Sequence, residues 1–126
     1  MNPGFATHLQ DAFRRFGPVD VRRMFGGLGV YREGLMFALV VDEVLYLKAD
    51  EAMAVALSAL GRKPFEYTRA GRRVTIGSFW QAPDEVLEDA DAAALWGRRA
   101  YDAALHAAAA KPRRRPSTGR MAKRAR

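Results

Sequence analysis

Four short segments rich in β-branched and aromatic residues, each separated from the next by two residues, constrain the fold of this chain most strongly. A gap of that length accommodates only a hairpin turn, because a parallel crossover needs a dozen or more residues. The segments are therefore predicted to be consecutive strands of one antiparallel sheet. They cover Val19 to Phe25, Leu28 to Arg32, Leu35 to Val41 and Val44 to Lys48, and the gaps are Gly26-Gly27, Glu33-Gly34 and Asp42-Glu43.

Apolar residues at helical spacing predict helices on both sides of these strands. The first helix runs from Phe5 to Phe16 and ends at Gly17-Pro18. The second runs from Asp50, a favourable N-cap residue, to Leu60. Two further strands, Phe65 to Arg69 and Arg72 to Trp80, follow and are joined through Ala70-Gly71.

The third predicted helix contains the last apolar stripe of the chain. It runs from Ala92 to about Ala110, and Asp91 is predicted to be its N-cap. The stripe consists of Trp96, Ala100, Ala103 and Ala107.

The order of elements is helix, four strands, helix, two strands, helix. Strands grouped apart from helices indicate a two-layer α+β fold, with helices packed on an antiparallel sheet. The segment Leu35 to Val41 is apolar on both faces. It is predicted either to be central and covered twice, or to present one face to a dimer interface.

The positive charge of the chain is concentrated at its C-terminus. The formal net charge is +7, but residues 111–126 hold eight basic residues and no acidic one, which leaves 13 basic against 14 acidic residues elsewhere. A segment of this composition cannot bury enough apolar surface to fold. We therefore predict a folded domain over residues 1–110 and a disordered basic tail over 111–126. The predicted nucleic-acid contacts are Lys111, Arg113, Arg114, Arg115, Arg120, Lys123, Arg124 and Arg126.

No constellation of residues predicts catalysis, a metal site or a cofactor. The chain has no cysteine, which excludes disulfides, thiolate metal sites and cysteine nucleophiles. His8 and His106 lack a second ligand at metal-binding spacing, and the acidic residues from Asp84 to Asp91 are explained by two helix starts. The glycines after Phe25 precede a strand, so they do not form a phosphate loop. We expect a protein that is not an enzyme.

Two weaker patterns leave alternatives open. Arg22-Arg23 and Arg72-Arg73 lie in predicted strands, so one arginine of each pair could form a basic patch near Tyr31, Tyr46 or Tyr67, or simply a solvated edge. A ligand pocket between sheet and helices, lined by aromatic residues, is the other alternative. Its predicted lining is Phe37, Tyr46, Phe65 and Trp80, although aromatic residues at alternating strand positions usually form core.

The chain shows no signal for export or membrane insertion. Its N-terminus lacks the charged and apolar regions of a signal peptide. Its longest apolar run, Leu35 to Val41, has seven residues, whereas a membrane-spanning helix needs about 20. We expect a cytoplasmic protein without a membrane partner.

One motif resembles a known family. The motif residues are Arg23, Met24, Phe25, Gly26, Gly27, Gly29 and Tyr31, within the sequence RMFGGLGVY. Together with Gly34 to Val40, Leu45 to Lys48, Pro64 to Tyr67 and Leu87 to Trp96, in this order and spacing, they resemble the TfoX/Sxy N-terminal domain family over about residues 5 to 108.

The resemblance implies a two-layer fold similar to the secretion-chaperone-like class and a role in DNA uptake and transformation in bacteria. Such proteins act as transcriptional co-regulators, which implies a protein partner in the transcription machinery. Longer members carry a second, helical domain, in whose place this sequence has the basic tail. The family provides no catalytic residues to carry over. The alternative is a protein-interaction module without a nucleic-acid role. Such a module could form a homodimer through Leu35 to Val41 or through the flanking sheet face.

Overall fold

The computed structural model describes residues 3–24 and 26–110. Its helices are α1 (Pro3–Ala12), α2 (Glu51–Ala59) and α3 (Ala90–Ala110), and a short 3-10 helix covers Asp84–Leu87. Its strands are β1 (Asp20–Met24), β2 (Gly27–Arg32), β3 (Leu35–Val41), β4 (Val44–Lys48), β5 (Pro64–Arg69) and β6 (Arg72–Gln81). Within these ranges no helix is both long and apolar enough to cross a bilayer.

The strands form one six-stranded sheet in the order β1-β2-β3-β4-β6-β5, and all neighbours are antiparallel. The predicted α+β class and the predicted order of elements are confirmed. Strand β3 lies between β2 and β4, so both of its edges are occupied. Strands β1 and β5 are the two edges of the sheet.

Three hairpins turn through two residues that both have positive φ angles, which is the type I′ geometry that matches strand twist. Two of these turns have glycine in second place. The turn between β3 and β4 has a non-glycine residue at both positions. The φ angles are 50° and 81° at Glu33-Gly34, 53° and 63° at Asp42-Glu43, and 53° and 78° at Ala70-Gly71.

A bulge in β3 builds the centre of the core. Tyr31 pairs with Met36 and Val30 pairs with Ala38, which leaves Phe37 without a partner on β2. An extra residue in one strand turns two neighbouring side chains toward one side. Phe37 and Ala38 are accordingly both fully buried in the core cluster.

An aromatic cluster around Phe37 joins the sheet to the helices. The ring of Phe37 lies 5.5 Å from that of Phe13, 5.2 Å from that of Phe16 and 6.3 Å from that of Tyr101 in α3. Helix α1 ends at Ala12 rather than at Phe16 as predicted, because residues 13–16 form turns. These turns direct Phe13 and Phe16 onto the same cluster.

Arg32 closes the end of this cluster. Its Nη1 donates a hydrogen bond to the carbonyl oxygen of Phe16, and its guanidinium lies 4.6 Å from the centre of the Phe16 ring. Gly17 follows with a φ angle of 136°, and a Cβ atom there would collide with the Arg32 guanidinium. The φ angle favours glycine at this position, whereas the collision could be relieved by a shift of the flexible Arg32 side chain.

The start of α3 differs from the prediction by two residues. The helix begins at Ala90, and the Oδ1 atom of Asp89 accepts a hydrogen bond at 2.9 Å from the backbone N–H of Asp91. Asp89 therefore caps the helix, and Asp91 lies in its first turn. The buried stripe includes Ala104, whereas Ala107 is exposed.

The turn between β3 and β4 predicts a stabilising substitution. Glu43→Gly is expected to raise the free energy of unfolding by about 1 kcal/mol, because glycine adopts a positive φ angle without the steric cost of a Cβ atom. Urea denaturation of both proteins measures the difference. Glu43→Ala is the matched control, since it removes the carboxylate but keeps the Cβ atom. An equal gain for the alanine variant would contradict this explanation.

Candidate interaction surface

Among the residues that the structure describes, helices cover one face of the sheet and leave the other without a helix. Buried residues of all three helices belong to a single core cluster with one side of the strands. On the other side, five residues of three strands line a cleft of about 420 Å³, and none of them belongs to a helix. We call this side the open face, with its cleft lined by Met24, Leu39, Val41, Phe65 and Tyr67.

Strand β3 contributes to both sides of the sheet. Ala38 and Val40 are fully buried in the core, whereas Leu39 and Val41, which alternate with them, line the cleft. The predicted central position of this strand is correct, but the helices of the described residues cover it on one side. Leu39 is nevertheless only 7% exposed, because side chains from the other strands shelter it.

The glycines of the family motif shape this surface. Gly29 pairs with Leu39 across β2 and β3. A Cβ atom at Gly29 would lie 2.9 Å from the Tyr31 ring, 3.0 Å from the Met24 sulfur and 3.1 Å from the Met36 sulfur. The missing side chain thus leaves room for those three side chains to lie across the strand. Phe25, the remaining large residue of the motif, lies outside the described residues.

Charged residues lie next to the apolar cleft. Arg23 of β1 and the turn residues Asp42 and Glu43 line a second, open cleft of about 590 Å³, together with Met24, Gly26 and Gly27. Met24 lines both clefts, so the two lie next to each other. The resulting surface is apolar along the strands and carries charges of both signs at one end.

Aromatic residues of β4 and β5 contact one another beside the apolar cleft, which Phe65 and Tyr67 of β5 line. The ring centres of Tyr46 and Phe65 lie 4.9 Å apart, and those of Phe65 and Tyr67 lie 5.8 Å apart. Burial raises the pKa of Tyr46, and the negative charges of Asp42 and Glu66 add to this effect. The phenol therefore remains neutral at physiological pH and is available as a hydrogen-bond donor.

The predicted aromatic pocket does not form. Phe37 is fully buried beneath the helices, and Trp80 packs against the same core. Tyr46 and Phe65 contact each other instead, and Phe65 lines the cleft of the open face. The sequence predicts these rings from the alternation of side chains along each strand. The bulge breaks that alternation, so the Phe37 ring points to the helix side together with Ala38.

The other predicted site residues are dispersed. The Arg22 guanidinium lies 4.7 Å from the centre of the Tyr31 ring, as one alternative predicted, whereas Arg73 forms a 3.7 Å ion pair with Glu66. His8 and His106 are exposed on helices. In residues 3–24 and 26–110 no three His, Asp or Glu side chains are grouped to hold a metal ion. The eight basic residues of 111–126 lie outside the described residues.

Sequence reasoning missed the cleft because its walls come from distant segments. The available signal was the alternation of Phe65 and Tyr67 in β5, together with the second apolar face of β3. Nothing in the sequence pairs these two segments, since β4 and β6 lie between them in the sheet.

Gly27, a glycine of the family motif in β2, is expected to be essential for stability because of its close backbone contact. A Cβ atom at Gly27 would collide with the backbone carbonyl of Val40, which cannot move without disturbing β3. Gly27→Ala is therefore expected to lower the free energy of unfolding by about 2 to 3 kcal/mol in chemical denaturation. Gly77→Ala in β6 is the matched control, because a Cβ atom at that position would meet nothing within 4 Å. It is expected to change stability by less than about 1 kcal/mol, and equal losses would contradict the steric explanation.

Known proteins share this region of the chain. The TfoX N-terminal domain model matches residues 11–104, which include every strand. The DNA transformation protein TfoX1 of Aliivibrio fischeri is 30% identical over 77 residues, covering 58% of this chain and 37% of that protein. The DNA transformation protein TfoX of Haemophilus influenzae is 29% identical over 72 residues, covering 56% of this chain and 33% of that protein.

The match thus spans only about a third of the length of either relative. Within this chain the family model covers the motif, the sheet and most of α3, in agreement with the fold. The chain belongs to the TfoX N-terminal domain family.

Proposed function

We propose that the chain is a competence-linked transcriptional co-regulator that acts in the cytoplasm and binds a partner protein through the open face. The names of the two relatives support the link to DNA transformation. The observation that carries the proposal is the apolar cleft of about 420 Å³ on a sheet face that no helix of the described residues covers. The function requires binding alone and no catalytic step.

The open face suits a protein partner. Contiguous apolar surface rimmed by polar groups is typical of protein–protein interfaces. Met24 is 39% exposed and Tyr67 is 37% exposed, so both have surface left to bury. Arg23, Asp42 and Glu43 lie at the charged end, where they would orient an apolar segment of a partner from the transcription machinery.

Gene expression and transformation test this proposal. In a host strain that lacks the chain, the wild-type protein is expected to restore transcripts of DNA-uptake genes and transformation frequency. Met24→Glu is expected to lower both at least roughly tenfold, because it places a charge in the apolar cleft. Leu105→Glu is the matched control, since Leu105 is a comparably exposed apolar residue (44%) on α3.

Each outcome of this experiment bears on a different step. If deletion of the chain changes neither readout, the competence role is wrong. If Met24→Glu restores both readouts as well as the control does, the open face is not the binding site. Circular dichroism of both variants verifies that the substitutions leave the fold intact.

We further propose that the basic tail contacts nucleic acid without sequence preference. Support comes from the eight basic residues of 111–126, which no acidic residue offsets. Phosphate contacts position a protein on DNA but do not read bases. If all eight neutralised phosphates, the slope of log affinity against log salt would reach about −7.

Fluorescence anisotropy of duplex DNA at several salt concentrations tests the tail. The variant with Arg113, Arg114 and Arg115 changed to Gln is expected to reduce the magnitude of the slope by up to about 3. The matched control changes Lys63, Arg72 and Arg73 to Gln, three exposed basic residues of the folded domain. Equal effects of the two variants would contradict a role specific to the tail.

The alternative function, a protein-interaction module without a nucleic-acid role, is favoured by the same open face. The anisotropy titration separates the two. Failure of the wild-type chain to bind DNA at moderate salt, with the Met24→Glu effect retained, would establish the alternative.

A further inference from the structure

The β5–β6 hairpin extends beyond the helical layer. Residues 66–69 of β5 are all exposed, as are residues 70–73, which include the turn and the start of β6. Strand β5 packs on β6, and within residues 3–24 and 26–110 no strand lies along its outer edge. A two-stranded hairpin is only marginally stable in water, so a further strand along this edge would stabilise it.

The two edges of the sheet differ in how they resist pairing with another strand. Edge strands that must remain single carry charges, prolines or bulges. Strand β1 carries three charged residues among five, namely Asp20, Arg22 and Arg23. In β5 the proline and the irregularity are confined to its first residues, and the sequence after them is Phe65, Glu66, Tyr67, Thr68 and Arg69.

The register of the hairpin fixes which backbone groups of β5 point outward. The turn has two residues, so the flanking pair Arg69 and Arg72 exchanges both backbone hydrogen bonds. Pairs of this kind recur at every second residue, so Tyr67 also points its N–H and C=O groups toward β6. Glu66 and Thr68 therefore point theirs away from the sheet.

We propose that two copies of the chain associate through their β5 strands, paired antiparallel, with Tyr67 of each copy at the two-fold axis. In this register Glu66 of one copy lies opposite Thr68 of the other. Each such pair exchanges two backbone hydrogen bonds, so all outward N–H and C=O groups of Glu66 and Thr68 are satisfied. The proposal stands whether or not the open face binds a partner.

Neighbouring registers are less favourable. A two-fold axis perpendicular to a sheet places a residue opposite its own copy, so the alternatives are centred on Glu66 or Thr68. The first opposes two carboxylates and pairs Thr68 with Pro64, which has no N–H. The second places Glu66 opposite Ala70, a turn residue with a φ angle of 53°.

Side chains favour the same register. The two Tyr67 rings become a cross-strand pair, and Phe65 lies opposite Arg69 of the other copy, where a cation–π contact forms. The axis is perpendicular to the sheet, so both open faces lie on the same side of the joined sheet. Their two clefts then flank the Tyr67 pair and form one two-fold symmetric apolar surface.

Disulfide trapping tests the register, because the chain contains no cysteine of its own. Opposed residues that do not exchange hydrogen bonds have Cα atoms about 4.5 Å apart, within the range that a disulfide spans. Tyr67→Cys is therefore expected to form a covalent dimer under mild oxidation. Thr68→Cys is the matched control, because its two Cα atoms would lie roughly 8 Å apart. Failure of Tyr67→Cys to cross-link, or equal cross-linking of Thr68→Cys, would overturn the proposal.

The mass of the unmodified protein provides an independent test. Light scattering in about 0.3 M salt, which screens the tail, is expected to show a wild-type dimer. Thr68→Pro removes one outward N–H per copy without breaking the hairpin ladder and is expected to raise the dissociation constant roughly 10- to 50-fold. Thr68→Val keeps the N–H and is expected to dimerise normally. A wild-type monomer at hundreds of micromolar, or an unchanged dimer for folded Thr68→Pro, would overturn the proposal.

Discussion

The contact between one layer of helices and one side of a six-stranded sheet is the constraint on which the rest of the structure depends. The aromatic cluster around Phe37 anchors this contact, since it joins β3 to α3 and to the turns after α1. Once the helices are committed to that side, nothing in the described ranges is left to cover the other. The apolar residues of β3 that point there must be sheltered by the sheet itself, and the sheltering is incomplete.

Small residues and irregular pairing adapt the sheet to these two environments. Gly29 allows Met24, Met36 and Tyr31 to lie across β2, which covers part of the open face with flexible and aromatic side chains. Methionine adjusts its shape to varied apolar partners, which suits a binding surface. On the core side, the bulge at Phe37 adds one large ring beneath the helices. The motif glycine Gly29 therefore shapes the open face of the sheet.

The edges of the sheet add a second level of organisation. Strand β1 is charged and lies beside the motif, whereas β5 offers two residues with outward backbone groups at the end of an exposed hairpin. The proposed partner binding by the face and the proposed self-association by the edge would use different chemistry, apolar burial in one case and backbone hydrogen bonds in the other. The two proposed interactions are compatible because the face and the edge are perpendicular to each other.

The order of elements, the antiparallel hairpins and the central β3 strand follow from sequence, because two-residue gaps permit only one kind of connection. The motif could also be recognised from its glycines. Three features were decided only by the tertiary structure. They are the bulge that places Phe37 and Leu39 on opposite faces of the sheet, the contact of Phe65 with Tyr46, and the helix cap at Asp89 instead of Asp91. A local sequence pattern indicates which residues share one face of a strand. Only packing against distant segments determines which face is covered.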